Sequence, residues 1–110
     1  RKPENFILLS GDDLLTTSMI SFGGQGVISV LANAFPNEFS KMVHLALNSN
    51  FKESSKYLYN FIELNQLMYE EANPTGVKIA LEIKKICGSQ VRLPLVKGTE
   101  NLKNKIKQLT

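Results

Sequence analysis

The chain has 110 residues, 43% of them apolar and 21% charged, with a formal net charge of +3. That is room for one small domain, too apolar for a disordered chain. Its 13 Lys and Arg are scattered, with loose clusters only at Lys84 and Lys85 and at Lys103, Lys105 and Lys107, which argues against a nucleic-acid footprint. No apolar run approaches the roughly 18 residues of a membrane span, and no signal peptide is visible. The single cysteine, Cys87, excludes an internal disulfide and fits a reducing cytosol, so a cytoplasmic location is expected.

In chain order, Phe6, Ile7, Leu8 and Leu9 are consecutive and apolar, as in a strand covered on both faces. "VISVL", residues 27–31, reads the same way. Between them Leu14 to Phe22 has the length of a crossover helix, with Asp12 or Asp13 able to cap its start. Gly23 or Gly24 can end it in a left-handed conformation. Residues 5–31 therefore read as one βαβ unit. The glycines of "GGQG" do not spell GxGxxG, and they precede a strand instead of opening a helix, so a phosphate cradle is not indicated.

Further on, Pro36 suits a first helical turn, and Phe39, Met42, Val43, Ala46 and Leu47 recur at helical spacing up to about Asn48. Asn50 followed by Glu53 resembles a capping box. The next helix carries a stripe of Leu58, Phe61, Ile62, Leu64 and Met68, and "ANPTG" ends it. Val77, Ala80, Leu81 and Lys84 share a face of another helix, with Ile79, Ile83 and Ile86 beside it and Gly88 as its stop. "VRLPLVKG" is an extended connector around Pro94, and Thr99 caps a last helix carrying Leu102, Ile106 and Leu109. There is no internal repeat.

Two parallel strands expose both edges unless other elements cover them. Phe6, Leu8, Val27 and Val30 should thus be poorly covered in a lone copy. The reading is of a piece of something larger, with further strands upstream of Arg1 or on another chain.

"NFILLSGDD", "GGQGVISVLANAFP", "EANPTGVKIAL" and "VRLPL", in that order and spacing, resemble the C-terminal third of the dihydrodipicolinate synthase family, within the superfamily that includes N-acetylneuraminate lyase. The resemblance covers essentially the whole chain. It implies an α/β fold: the last part of a (β/α)8 barrel followed by a small helical domain. Residues 1–49 would hold the seventh and eighth βα units and residues 50–110 the helical domain. This chain by itself would be mostly α-helical. The family usually has a second proline where Gly76 stands.

By the same resemblance, the full-length enzyme condenses pyruvate with aspartate semialdehyde through a Schiff-base lysine, in lysine biosynthesis, with no cofactor and no metal. It would be a homo-oligomer, a dimer or tetramer, with no nucleic-acid or membrane partner. Barrel enzymes place chemistry at the C-terminal ends of strands, here Ser10-Gly11-Asp12 and Ser29-Val30-Leu31. The family motif implies that Ile28 touches pyruvate and that Gly11 approaches the same cavity. The nucleophilic lysine and the proton-relay tyrosine lie on earlier strands, so no catalytic residue is expected in this chain. Lys78 matches a family position but falls on a helix outside the barrel.

The other polar candidates have plainer readings. Asp12 and Asp13 could be metal ligands or an acid/base pair; a helix cap with a solvated neighbour is the simpler expectation, though Asp12 could also tune the pocket. His44 has no Cys or Asp at ligand spacing. Cys87 reads as a small core residue. Glu70 and Glu71 read as a solvated helix end, and Tyr57, Tyr59 and Tyr69 as interface or core packing. The alternatives to the synthase are a fragment of a related sugar-acid lyase and a stand-alone helical interaction module.

Overall fold

The computed structural model describes residues 3–110. The elements in chain order are β1 (Leu9–Ser10), α1 (Thr16–Ser21), β2 (Gly26–Val27), a 3-10 helix (Leu31–Asn33), α2 (Pro36–Leu47), α3 (Phe51–Tyr69), α4 (Thr75–Ile83) and α5 (Glu100–Gln108). β1 and β2 pair in parallel, Leu9 opposite Gly26 and Ser10 opposite Val27, with α1 as the crossover. Two further bonds extend the ladder: Gln25 N–H to the Leu8 carbonyl at 2.8 Å and Ile28 N–H to the Ser10 carbonyl at 2.9 Å.

The strands are shorter than their apolar runs. Phe6, Ile7, Leu8 and Leu9 are exposed, not covered on both faces. The sheet has two strands among the described residues, so neither outer edge is paired there. Val27 and Val30 are half-buried against the core. The expected strand over residues 27–31 stops early, because side chains capture its N–H groups. Asp13 takes those of Val30 and Leu31, and Ser29 Oγ takes that of Ala32. The chain turns into the 3-10 helix instead of extending the ladder.

α1 begins two residues later than the sequence indicated, after a turn in which Asp12 Oδ1 accepts the Leu15 N–H at 2.9 Å. It ends in a Schellman motif. Gly23, at φ +95°, donates to the Ile20 carbonyl, and Gly24 donates to the Met19 carbonyl. The left-handed residue is Gly23. Gly24 is glycine for space, since a Cβ there would stand 2.8 Å from the Met19 carbonyl oxygen.

α2, α3 and α5 start where the sequence placed their first turns or caps. Pro36 opens α2. Asn50 Oδ1 accepts the Glu53 N–H at the start of α3, and Thr99 Oγ1 accepts the Leu102 N–H at the start of α5. The core runs unbroken across residues 49 and 50. Phe61 of α3 lies 6.1 Å from Phe35 and 5.6 Å from Phe39, ring centre to ring centre, with tilted planes. Leu31, Met42, Leu64, Met68, Ile79, Leu102 and Ile106 complete the same cluster. Buried Ser54 knits three helices together, donating to the Met42 carbonyl at 2.9 Å and meeting Thr17 Oγ1 at 3.1 Å.

Several outward positions differ from the sequence reading. α4 ends at Ile83, well before Gly88. Lys85 takes the left-handed conformation at φ +60°, and the Lys85 and Ile86 N–H groups close the helix on the Glu82 and Leu81 carbonyls. Ile86 and Cys87 therefore lie past the helix and are exposed, so Cys87 is not a core residue. Ile62 and Leu109 are exposed edges of their stripes.

Glu70 and Glu71 are not simply solvated. Glu70 pairs with Lys105 at 2.6 Å, and Glu71 accepts both the N–H and the hydroxyl of Thr99, so the end of α3 holds the start and flank of α5. Glu82 of α4 adds a third tie, to Lys103 at 2.8 Å and to the Ser89 hydroxyl at 3.0 Å. The hydrogen bonds from Lys103 and then Ser89 hold the Glu82 carboxyl down to about 2. A lowered carboxyl contributes stability above its unfolded value and loses it as pH falls through its folded value. Wild type should therefore exceed Glu82→Gln in melting temperature at neutral pH, and the gap should close between the ordinary carboxyl range, about 4.5, and about 2. Melts of both proteins across that window test this; a gap independent of pH would show that the carboxylate charge contributes nothing.

Candidate functional site

The "SGDD" turn joins β1 to α1, and each of its residues has a distinct task. Ser10 is buried; its Oγ donates to the Asp12 carbonyl at 2.7 Å and accepts the Asp12 N–H at 3.1 Å, folding the chain around Gly11. Asp12 caps the following turn, and its carbonyl also accepts the Thr16 hydroxyl at 2.8 Å. Asp13 is not a solvated neighbour. It is 2% exposed, and its Oδ2 accepts the N–H groups of Val30 at 3.1 Å and Leu31 at 2.8 Å. The C-terminal ends of β1 and β2 are thus bound together by one carboxylate.

Gly11 and Ile28 sit at these same ends. Gly11 has neither a left-handed φ nor a crowded Cβ direction: a methyl there would meet open space among the described residues. Ile28 is 72% exposed, although its N–H is held by the Ser10 carbonyl. An exposed isoleucine thus stands at the end of β2, next to a glycine at the end of β1 that has no local reason to be glycine. On the α2 side of β2 lies an open groove of about 400 Å³ lined by Val27, Ser29, Phe39, Val43 and His44 among others.

The remaining candidates lie elsewhere. Lys78 is on α4, its Nζ 3.5 Å from Cys87 Sγ, away from both strand ends. His44 Nδ1 lies 2.8 Å from the Ser40 carbonyl of its own helix. Tyr69 ends α3 near the turn; partial burial, and then the charges of Asp13 and Asp12, push its phenol above the usual range. Tyr59 is exposed and Tyr57 half-buried, with Lys41 Nζ 5.6 Å from its ring centre. No group of three or more His, Cys, Asp or Glu among the described residues is placed to hold a metal ion. No helix among them is long and apolar enough to cross a membrane.

A sequence model of the dihydrodipicolinate synthetase family matches residues 1–110. The chain belongs to this family. It is similar to the 4-hydroxy-tetrahydrodipicolinate synthase of Cytophaga hutchinsonii, 51% identical over 106 residues that cover 96% of this chain and 36% of that protein. Its fold matches the crystal structure of dihydrodipicolinate synthase from Aquifex aeolicus with a TM-score of 0.92, at 35% identity, over 99% of this chain and 37% of that one. It also matches the chloride-inhibited dihydrodipicolinate synthase of Acinetobacter baumannii, a structure complexed with pyruvate, with a TM-score of 0.88 at 26% identity. That match covers 94% of this chain and 36% of the other. As a dihydrodipicolinate synthase family chain it is a fragment, spanning about a third of the length of the curated relatives it matches.

The "SGDD" and "GVISV" segments meet at the paired ends of β1 and β2 in this structure. Sequence reasoning missed the part played by Asp13. A carboxylate three residues beyond a strand gives no local sign of reaching a backbone 17 residues away.

Proposed function

We propose that this chain is the C-terminal third of a synthase that condenses pyruvate with aspartate semialdehyde through a lysine Schiff base, giving 4-hydroxy-tetrahydrodipicolinate for lysine biosynthesis. The observation that carries the reading is the pairing of the two strand ends, which sets exposed Ile28 beside side-chain-free Gly11. Barrel enzymes run their chemistry at this end of the strands. The 51% identity to a curated synthase and the pyruvate held by a structurally similar one support the substrate class.

In this reading residues 1–49 supply the last two βα units of a (β/α)8 barrel and residues 50–110 a helical domain docked on them. The bare apolar run before β1 and the groove between β2 and α2 are where the rest of the barrel packs. Ile28 gives pyruvate an apolar wall, and Gly11 leaves room for it. The nucleophilic lysine and the proton-relay tyrosine come from strands outside this chain. In this reading Lys78 is not the nucleophile: it lies on α4, with its amine beside the exposed Cys87 and not at a barrel strand end. The synthase would be a cytoplasmic homo-oligomer, a dimer or tetramer.

Borohydride reduction in the presence of pyruvate tests the assignment. The full-length protein should gain one stoichiometric adduct, on a lysine outside these 110 residues. The 110-residue chain alone should gain none. A stoichiometric adduct on Lys78 or any other lysine of this chain would overturn it.

A further inference from the structure

We propose that Asp13 is a positioning residue for the keto-acid pocket: its carboxylate fixes the path of the chain from Ile28 to Leu31, and through it the stance of Ile28 toward the substrate. The proposal rests on the pocket reading above. After Val27 the strand pairing ends, and Ile28 keeps a single ladder bond, to the Ser10 carbonyl. The bonds of Ser29 and Asn33 that follow are internal to the turn: Ser29 Oγ takes the Ala32 N–H, while the Asn33 amide donates to the Ser29 and Val30 carbonyls. They shape the turn but do not place it. Two things place it: Leu31, fully buried in the core at its far end, and Asp13, which starts from the end of β1 and takes two successive N–H groups of the turn, Val30 and Leu31.

The burial of Asp13 supports this role. Its Oδ1 is buried and finds no donor among the described residues, and an unmatched buried acceptor is costly. The two peptide N–H groups on Oδ2 are what the structure shows in return. Their effect is geometric: they close the outer end of a strand pair that has lost its ladder. Loss of that tie would let residues 28–30 drift, and a misplacement on the order of 1 Å is enough to weaken a binding or reacting geometry.

The test measures pyruvate half-saturation by borohydride trapping in the full-length enzyme, alongside kcat and KM. The proteins are wild type, Asp13→Ala, Asp13→Asn and Asp13→Ser, each with and without Ile28→Ala. Asp13→Ala should raise half-saturation about tenfold with little change in kcat at saturating pyruvate, whereas Asp13→Asn, which keeps an acceptor of the same reach, should stay within about threefold of wild type. Adding Ile28→Ala to Asp13→Ala should add little, because both changes act on one contact. Wild-type half-saturation in folded Asp13→Ala, or fully additive effects in the double variant, would overturn the proposal. If Asp13→Ala does not fold, Asp13→Ser decides: an intermediate shift supports the tie, and wild-type half-saturation overturns it. If wild type itself traps no pyruvate, the pocket reading falls and this inference with it; trapping in wild type with unshifted Asp13 variants removes the inference alone.

Discussion

Gly76→Ala should destabilise the protein by about 3 kcal/mol, the upper part of the range for overpacking, and lower its melting temperature on the order of 10 °C or more. Gly76 lies in the first turn of α4, where that helix crosses the end of α3. A Cβ at this position would stand 2.5 Å from the Leu67 carbonyl oxygen and from Met68 Cα, and 2.7 Å from the Met68 carbonyl oxygen. All of these are backbone atoms, so no side-chain rotation relieves the clash, and one helix must move off the other. The cost would spread, because Met68, Val77, Ile79 and Ala80 belong to the one core cluster. Gly76→Pro should fail for the same reason. Proline suits a first helical turn, but proline also has a Cβ. Thermal melts of both variants against wild type are the measurement; a Gly76→Ala protein that melts with wild type would mean that α4 sits farther from α3. Gly11→Ala is the internal control for stability, since a methyl there meets open space and should leave the melting temperature unchanged.

What was legible in the sequence was what is local. Pro36, the Asn50–Glu53 pair and Thr99 mark helix starts because a cap acts within one turn of its own chain. Gly23 marks a helix end because only glycine enters the left-handed region without penalty. The end of α4 was misread for the complementary reason: Lys85 holds a left-handed φ, which no composition signal announces, so the later Gly88 drew the boundary too far. Cys87 then moved from an expected core position to an exposed one. Glu70 and Glu71 read as solvated because their partners, Lys105 and Thr99, come close only once α5 folds back on α3.

The site divides in the same way. Gly11 and Ile28 were found through a family motif, and the structure brings them to neighbouring strand ends. There Ile28 is exposed, and a methyl on Gly11 would meet open space among the described residues. Asp13 had the opposite fate. Adjacent aspartates after a strand suggest a cap, and Asp12 does cap, but the fold sends Asp13 inward to a backbone it meets only through the βαβ crossover.

Ile28→Ala should raise the Michaelis constant of the full-length enzyme for pyruvate about tenfold, while imine formation persists at saturating pyruvate. Ile28 is 72% exposed in this chain, so its truncation removes little of the chain's own packing. Any large effect must then come from what covers it in the pocket. The substitution deletes a methyl and an ethyl group's worth of surface, at about 0.8 kcal/mol for each buried carbon. The substrate touches only part of that surface, and about 1.4 kcal/mol corresponds to the tenfold change. Chemistry should be largely spared, because in the proposed mechanism the imine lysine stands on another strand and Ile28 supplies only a wall. Gly11→Ala puts a methyl beside Ile28 at the strand ends, where the described residues leave it open space, and should weaken pyruvate binding. Steady-state kinetics with borohydride trapping over a pyruvate series separates the two effects from a loss of active protein. A folded Ile28→Ala enzyme with an unchanged Michaelis constant for pyruvate would remove Ile28 from the pocket wall, and a similarly indifferent Gly11→Ala would move the pocket away from these strand ends altogether.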